Sequence, residues 1–263
     1  MSRPQPSRIY GDMPPWNLNK FSRHLDASLE KIPETGSLVY FRADDAGVPG
    51  QNWDRLVRLF MAHQMPLNIA LVPAWLSPDR WQALAPDAYK AGNLFCWHQH
   101  GWRHVNHETQ GKNQEFGPGR PDHGLAFDLK SGSRKMKKFL GKHFFRAFTP
   151  PWNRCDSRTL DHLKRLSFAA VSRDIGASPQ AQLPEFPVHV DLHTRKDKDI
   201  LGGRMQLSLE LEQVLGTGVC GIMLHHRRMN PRAFECLDLI LARFRQARNI
   251  TPLTFRQLIS HGN

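Results

Sequence analysis

The stretch that decides the fold is residues 37–45, which reads Ser37-Leu38-Val39-Tyr40-Phe41-Arg42-Ala43-Asp44-Asp45. Its apolar and aromatic run predicts a short buried strand, and two adjacent aspartates follow that strand. Neighbouring carboxylates repel each other, so the pair is costly unless a cation or separate hydrogen bonds stabilise it. An Asx turn that leaves both carboxylates in water has the same local sequence. The meaning of the pair therefore depends on what the other strands place beside it.

Similar apolar runs recur along the chain and alternate with helical patterns. The predicted strands are residues 37–41, 67–72, 93–97, 144–148, 169–172, 186–192 and 221–224, with one more near 251–254. Apolar residues at helical spacing lie between them, around Trp53, residues 79–89, Met136, Leu160 and Phe234. This alternation predicts parallel strands joined by right-handed helical crossovers. In a chain of 263 residues it favours a closed or nearly closed (β/α) barrel, with a doubly wound sheet as the alternative.

The domain organisation predicted from length and composition is a single barrel domain over residues 37–263, with residues 1–36 as an N-terminal extension packed on it. No apolar stretch approaches the roughly 18 residues that cross a bilayer, and the first residues lack the apolar core of a secretory signal. We therefore expect a cytoplasmic protein. The four cysteines are widely spaced, which predicts reduced thiols.

The chain is strongly basic, with a formal net charge of +12. Such a charge attracts polyanions in general and does not choose among them. The densest basic run, residues 134–140, alternates with apolar residues at helical spacing, so it predicts a solvated helix face. Aromatic residues are not interleaved with it, as a stacking platform for nucleic acid requires, so a nucleic-acid partner is not expected.

Polar groups follow several of the predicted strands. Besides the aspartates, the cluster 97–107 follows the third strand, Thr149-Pro150-Pro151-Trp152 follows the fourth, and His225-His226 follows the seventh. The carboxyl ends of parallel barrel strands share one rim, where active sites of such barrels lie. We therefore expect these segments to converge.

The cluster reads Trp97-His98-Gln99-His100-Gly101-Trp102-Arg103-His104-Val105-Asn106-His107. His100 and His104 are four residues apart, so one helical turn would place both imidazoles on the same side. Two alternatives are His98 with His100 on a strand, and His107 with His104 across a turn. With one aspartate, two histidines form a 2-His-1-carboxylate set, which leaves open positions and suits Zn, Fe, Co or Ni.

Two further features bear on the site. The Gly216–Gly221 segment matches G-x-G-x-x-G, but it precedes a predicted strand, which excludes a dinucleotide-binding turn. The loop over residues 106–128 is long and rich in glycine, proline and charge, which predicts a lid over a binding site.

The order of the segments, strand-Asp-Asp, H-x-x-x-H, Pro-Pro-aromatic and a late strand ending in Leu-His, resembles the polysaccharide deacetylase family (carbohydrate esterase family four) over residues 37–257. The resemblance implies a distorted, incomplete (β/α) barrel that hydrolyses an acetyl group from an N-acetylated sugar with metal-activated water. It implies that Asp44 is the catalytic base. It also implies that Asp45, His100 and His104 bind the divalent metal, with Zn expected first and Co, Ni or Fe as alternatives.

The same resemblance implies that His225 of the Leu-His motif is the general acid, with His226 as the alternative after a one-residue slip. A faint fourth motif around Asp191 suggests that this carboxylate pairs with the acid histidine. Pro151 and the two tryptophans Trp102 and Trp152 are candidates for contact with a sugar ring, although core packing explains each tryptophan equally well.

Two departures from the family mark a divergent branch. Thr149 stands where an arginine usually orients the base, so Arg42 or Arg154 is the candidate replacement. Gly101 stands where Ser or Thr is usual. Two alternative functions stay open for this reason: a metal-dependent hydrolase of a non-sugar amide on the same fold, and a non-catalytic carbohydrate-binding relative.

Overall fold

A computed structural model describes residues 5–261, except for the side chain of residue 88. Its strands are β1 Ser37–Ala46, β2 Leu67–Leu71, β3 Phe95–His100, β4 Phe144–Thr149, β5 Ala170–Val171, β6 Val190–Asp191, β7 Val219–Leu224 and β8 Ile250–Pro252. Its helices are α1 Leu18–Glu30, α2 Gln51–Ala62, α3 Pro78–Ala91, α4 Asp122–Leu140, α5 Ser157–Arg165, α6 Ile200–Leu215, α7 Pro231–Gln246 and α8 Phe255–His261.

The strands form one sheet in the order β5-β4-β3-β2-β1-β7-β6, and β8 pairs with β1. The pairings of β1 with β7 and β8, of β3 with β4, of β4 with β5 and of β6 with β7 are all parallel. Residues of β2 are buried throughout, as expected for a parallel strand whose two faces are both covered. The prediction of an incomplete (β/α) barrel is confirmed.

The described residues divide into two compact units. The first unit holds residues 5–43, 50–67 and 189–253, and the second holds residues 44–49, 68–188 and 254–261. In the first unit Leu38 lies opposite Val219 and Ala43 opposite Leu224. In the second unit His100, the last residue of β3, lies opposite Thr149, the last residue of β4. The division into an extension and one barrel domain stays a prediction.

Several hydrogen bonds hold the N-terminal segment in the first unit, and three of them come from one arginine. The Arg204 guanidinium on α6 donates hydrogen bonds to the carbonyls of Ile9, Gly11 and Pro14, at 2.8, 2.8 and 2.7 Å. It also lies over the Trp16 ring, 5.0 Å from the ring centroid. Charge-assisted bonds to several carbonyls fix the path of this segment.

The sequence analysis missed helices α1, α6 and α8. Helix α6 carries apolar residues on both faces, with Leu207 and Leu211 buried and Leu201 and Met205 exposed, so its helical period is hidden. The predicted strand 186–192 is wrong in length, since only Val190–Asp191 pairs as a strand. All four cysteines are buried free thiols, as predicted. Within residues 5–261, no helix combines the length and the apolar character that a membrane span needs.

Candidate metal centre

Three predicted ligands meet in the second unit. Asp45 lies near the end of β1, His100 ends β3, and His104 lies in the loop that follows. Their candidate ligand atoms all lie within 4.8 Å of one another. Asp45 Oδ1 is 3.4 Å from His100 Nε2 and 3.1 Å from His104 Nε2. Two imidazole nitrogens and one carboxylate in this arrangement are a donor set that fits a divalent transition metal.

The route by which the two histidines meet differs from the prediction. No helical turn joins them, since β3 ends at His100 and the chain then turns through left-handed backbone at Gly101 (φ 54) and His104 (φ 59). The alternative pairings are also wrong. His98 Nε2 bonds Thr149 Oγ1 at 2.9 Å, and His107 Nε2 accepts from the Arg120 guanidinium at 2.6 Å.

Thr149 fixes the ring of the first histidine. Its backbone carbonyl lies 2.9 Å from His100 Nδ1 and also accepts the N–H of Gly101 at 3.1 Å. A carbonyl can only accept, so the ring proton of neutral His100 sits on Nδ1, and Nε2 keeps its lone pair on the side of Asp45. Thr149, at the position where the family resemblance places an arginine, thus orients a candidate ligand through its backbone carbonyl.

Glu115 holds the loop that carries the second histidine. Its carboxylate accepts three consecutive backbone N–H groups, from Trp102 (3.1 Å), Arg103 (2.6 Å) and His104 (3.1 Å). Burial raises the pKa of Glu115, and these donors offset only part of that rise. The sequence analysis assigned no role to this residue, since a glutamate inside a polar loop gives no local sign of which backbone groups it binds.

Burial and charge set the protonation of the two ligand rings. Burial lowers the pKa of His104 to about 4, with a further lowering from the charge of His100 and a smaller opposing effect of Asp45. Burial also lowers the pKa of His100, but its bond to Asp45 and the charge of Asp44 outweigh that effect, so the net direction is up. Asp44 is only 3% exposed, and its charge acts to raise the pKa of both candidate ligand rings.

The aromatic candidates lie in different surroundings. The centroid of the Trp152 ring lies 4.5 Å from that of the His104 ring. The Trp75 ring, which the sequence analysis missed, has its centroid 6.0 Å from the His104 ring centroid. Trp102 instead packs against the buried cluster that includes Phe116, with the Lys135 ammonium 5.7 Å from its ring centroid. Trp152 is therefore beside the candidate ligands, while Trp102 contributes to packing.

The other residues proposed to contact substrate make contacts within the protein. Pro151 is buried and lies against Gly101, since a Cβ built there would come within 2.6 Å of Pro151 Cγ. Arg154 donates to the carbonyl of Asn113 at 3.3 Å. Arg42 is fully buried in the first unit and contacts Met223 Sδ at 3.0 Å.

The predicted acid histidines lie in the first unit, after β7. His225 donates its backbone N–H to His193 Nδ1 at 3.0 Å, and the buried His226 ring packs edge-on against Trp53, with centroids 5.5 Å apart. The expected partner Asp191 is engaged elsewhere, because its carboxylate accepts the backbone N–H groups of His193 and Thr194, each at 2.9 Å. His193, and not Asp191, accepts the backbone N–H of His225.

Comparisons with known proteins show the fold. No family model and no curated protein matches the sequence. A protein assigned as a polysaccharide deacetylase from Mycobacterium smegmatis matches with TM-score 0.65 and 15% identity, over 87% of this chain and 91% of that one. An allantoinase matches with TM-score 0.62 and 12% identity, over 87% and 91%. A family 4 acetyl xylan esterase from Clostridium thermocellum, in complex with cobalt, matches with TM-score 0.57 and 13% identity, over 86% and 91%.

These matches define the class of protein by its fold. The chain has the fold of the polysaccharide deacetylases, at 15% and 13% sequence identity to the two structures of that kind given above. The same fold is shared with an allantoinase and with a family pseudoenzyme from Bacillus anthracis, which matches with TM-score 0.53 and 13% identity, over 85% of this chain and 66% of that one. A shared fold does not select one reaction.

Proposed function

We propose that the protein is a metal-dependent hydrolase that removes an acetyl group from an N-acetylated sugar. The observation that carries the proposal is the convergence of Asp45, His100 and His104, with ligand atoms within 4.8 Å of one another, at the ends of parallel strands. The fold shared with polysaccharide deacetylases supports the substrate class. We expect Zn as the metal, with Co, Ni or Fe as alternatives.

Asp45, His100 and His104 would hold a divalent cation, which would act as a Lewis acid and would lower the pKa of a water molecule bound to it to about 7. Asp44 is the proposed general base, because it is buried next to the ligand residues and its charge is felt by both ligand rings. His225 is the proposed general acid, which donates a proton to the departing amine, with His226 as the alternative. Trp152 offers a flat face beside His104 for a sugar ring.

The direct test combines metal analysis of the purified protein with an acetate-release assay over a panel of N-acetylated sugars. We expect about one divalent ion per chain and acetate release from at least one sugar. Asp44→Asn should keep the metal and lose turnover by about 100-fold or more, the range that general base catalysis contributes. Full activity in that variant would exclude Asp44 as the base.

A second candidate is hydrolysis of a small non-sugar amide, favoured by the likeness to an allantoinase. The same panel extended to cyclic and open-chain amides separates the two functions, because only one of them releases acetate. A third candidate is a non-catalytic carbohydrate-binding protein. It is favoured by Thr149 in place of the usual arginine and by the likeness to a pseudoenzyme, and it would bind sugar without acetate release.

The partners follow from the same proposal. A carbohydrate or another small amide is the expected substrate, and nucleic acid is not an expected partner despite the charge of +12. Nucleic-acid binding that weakens steeply with salt would contradict this expectation. The cytoplasmic location stays a prediction.

A further inference from the structure

The loop that carries the second candidate ligand is folded around a buried carboxylate. Glu115 is only 1% exposed, and both of its carboxylate oxygens accept backbone N–H groups of residues 102–104. Successive N–H groups aimed at one point form a nest for an anion. Here the anion belongs to the protein itself, and the third donor of the nest is the backbone of His104.

The nest requires a residue without a side chain at position 101. A Cβ built on Gly101 would lie 2.2 Å from Glu115 Oε2 and 2.6 Å from Pro151 Cγ. Gly101 also has φ 54, a left-handed conformation that favours glycine. Any larger residue there, including the Ser or Thr usual in the family that the sequence resembles, would displace the Glu115 carboxylate. The position of the Glu115 carboxylate therefore depends on glycine at position 101.

Hydrogen bonds hold the backbone on both sides of Glu115. The next residue, Phe116, is 1% exposed, and its carbonyl accepts the N–H of Asp156 at 2.9 Å and the hydroxyl of Thr159 at 3.1 Å. On the preceding side the Gln114 carbonyl accepts the N–H of His107 at 2.9 Å. A carboxylate anchored in this way can dictate where the backbone of residues 102–104 lies.

The effect reaches the candidate metal site through His104. This residue has φ 59, an uncommon conformation for a residue with a side chain, and its ring nitrogen lies 3.1 Å from Asp45 Oδ1. The hydrogen bond from its backbone N–H to Glu115 stabilises that conformation. We propose that Glu115, with Gly101 as its required partner, is a positioning residue that sets the second histidine ligand. This inference rests on the proposed metal site.

The test measures Zn²⁺ and Co²⁺ dissociation constants for the full-length protein and for Glu115→Gln. Glutamine keeps the size, but its amide nitrogen cannot accept an N–H, so the nest loses its charge and at least one bond. We expect the metal dissociation constant to rise by about 10- to 100-fold, the effect typical of mutating a residue that orients a metal ligand by hydrogen bonding. The visible absorption of bound Co²⁺ should change as well, because the ligand geometry relaxes.

Glu108→Gln is the matched control. Glu108 lies in the same loop and accepts one backbone N–H, from Gly119 at 3.0 Å, so this variant makes the same chemical change without contact to residues 102–104. We expect unchanged metal affinity. Gly101→Ser should weaken binding as Glu115→Gln does, because its side chain meets the carboxylate. If Glu115→Gln does not fold, the variant Glu115→Asp, which keeps the charge, is measured instead. It should also weaken metal binding, because its shorter side chain does not reach the nest.

The outcomes separate this inference from the proposed function. A wild-type protein that binds no metal overturns both. A wild-type protein that binds metal, with Glu115→Gln or Glu115→Asp binding equally tightly, overturns the inference alone. A lower unfolding midpoint with unchanged dissociation constants would show a merely structural role and overturn it too. Equal weakening in Glu108→Gln would show that the effect is not specific to the nest, which also contradicts the inference.

Discussion

Two groups of histidines at strand ends illustrate how neighbours decide what an imidazole does. In the second unit, His100 and His104 face the Asp45 carboxylate at 3.4 and 3.1 Å. In the first unit, His193 packs against Tyr10, with ring centroids 5.6 Å apart, and accepts the backbone N–H of His225. The same residue type thus meets an anion in one place, and an aromatic ring and a peptide group in the other.

The nearby carboxylates also separate the pKa shifts of the two groups. Burial lowers the pKa of His100, His104 and His193 alike. At His100 the bond to Asp45 and the charge of Asp44 outweigh burial and raise the pKa, whereas at His193 the charges of His225 and His226 add to the lowering. At His104 the charge of His100 adds to the lowering, and Asp45 opposes it only in part. A carboxylate beside imidazoles thus stabilises positive charge there, and imidazoles without a carboxylate favour neutral rings. Three predictions test this comparison.

The largest effect is expected from removing the ligand rings. The double variant His100→Ala with His104→Ala should lose nearly all bound metal. Mutation of a residue that only hydrogen-bonds to a metal ligand already weakens metal affinity by about 10- to 100-fold. Removal of two of the three proposed ligands should therefore weaken metal affinity by more than about 100-fold. Metal content after dialysis measures it. His193→Asn is the control from the other group and should bind metal like the wild type. An unchanged metal-to-protein ratio in the double variant would reject the ligand assignment.

A smaller effect, on rate alone, is expected at the acid histidine. His225→Ala should keep the metal and lower kcat by about 100-fold or more, the contribution of a general acid. His226→Ala removes a buried ring packed on Trp53, so its main effect should be on stability. Steady-state kinetics and denaturant unfolding of both variants distinguish the roles. A loss of kcat in His226→Ala, together with a loss of stability alone in His225→Ala, would make His226 the general acid.

The smallest effect is a pH dependence of stability that originates at His193. Its pKa in the folded protein lies well below 6.5, through burial and then the charges of His225 and His226. The unfolded chain therefore binds more protons, so this contribution to stability is present above about pH 6.5 and is lost as the pH falls.

His193→Asn supplies an acceptor near the Nδ1 position but does not titrate, so it should lose less stability between pH 8 and pH 5.5 than the wild type. Urea unfolding at both pH values measures the difference. The same acid sensitivity in both proteins would show that the effect arises elsewhere, for example at His104, whose pKa of about 4 acts in the same direction.

Much of the fold was predictable because it rests on local patterns. All eight predicted strands overlap observed ones, from residues 37–41 inside β1 to residues 251–254 at β8. Helix α6 was missed because apolar residues cover both its faces and remove the period. The partnership of Asp191 with His225 stays a prediction, and the bonds that Asp191 accepts from the backbone of His193 and Thr194 are of the local kind that an aspartate forms with the residues following it.

The sequence by itself determined that adjacent carboxylates and spaced imidazoles follow apolar runs, because these residue types are visible in one dimension, and the family resemblance implied Asp45, His100 and His104 among them as ligands. Only the tertiary structure decided how His104 reaches Asp45. It does so through a left-handed turn whose N–H groups are bound by Glu115, and His100 is oriented by the carbonyl of Thr149 on a neighbouring strand. Hydrogen bonds between a side chain and distant backbone depend on where the chain runs in space, and backbone donors and carbonyls are the same in every residue type except proline. No spacing of residue types can reveal such bonds.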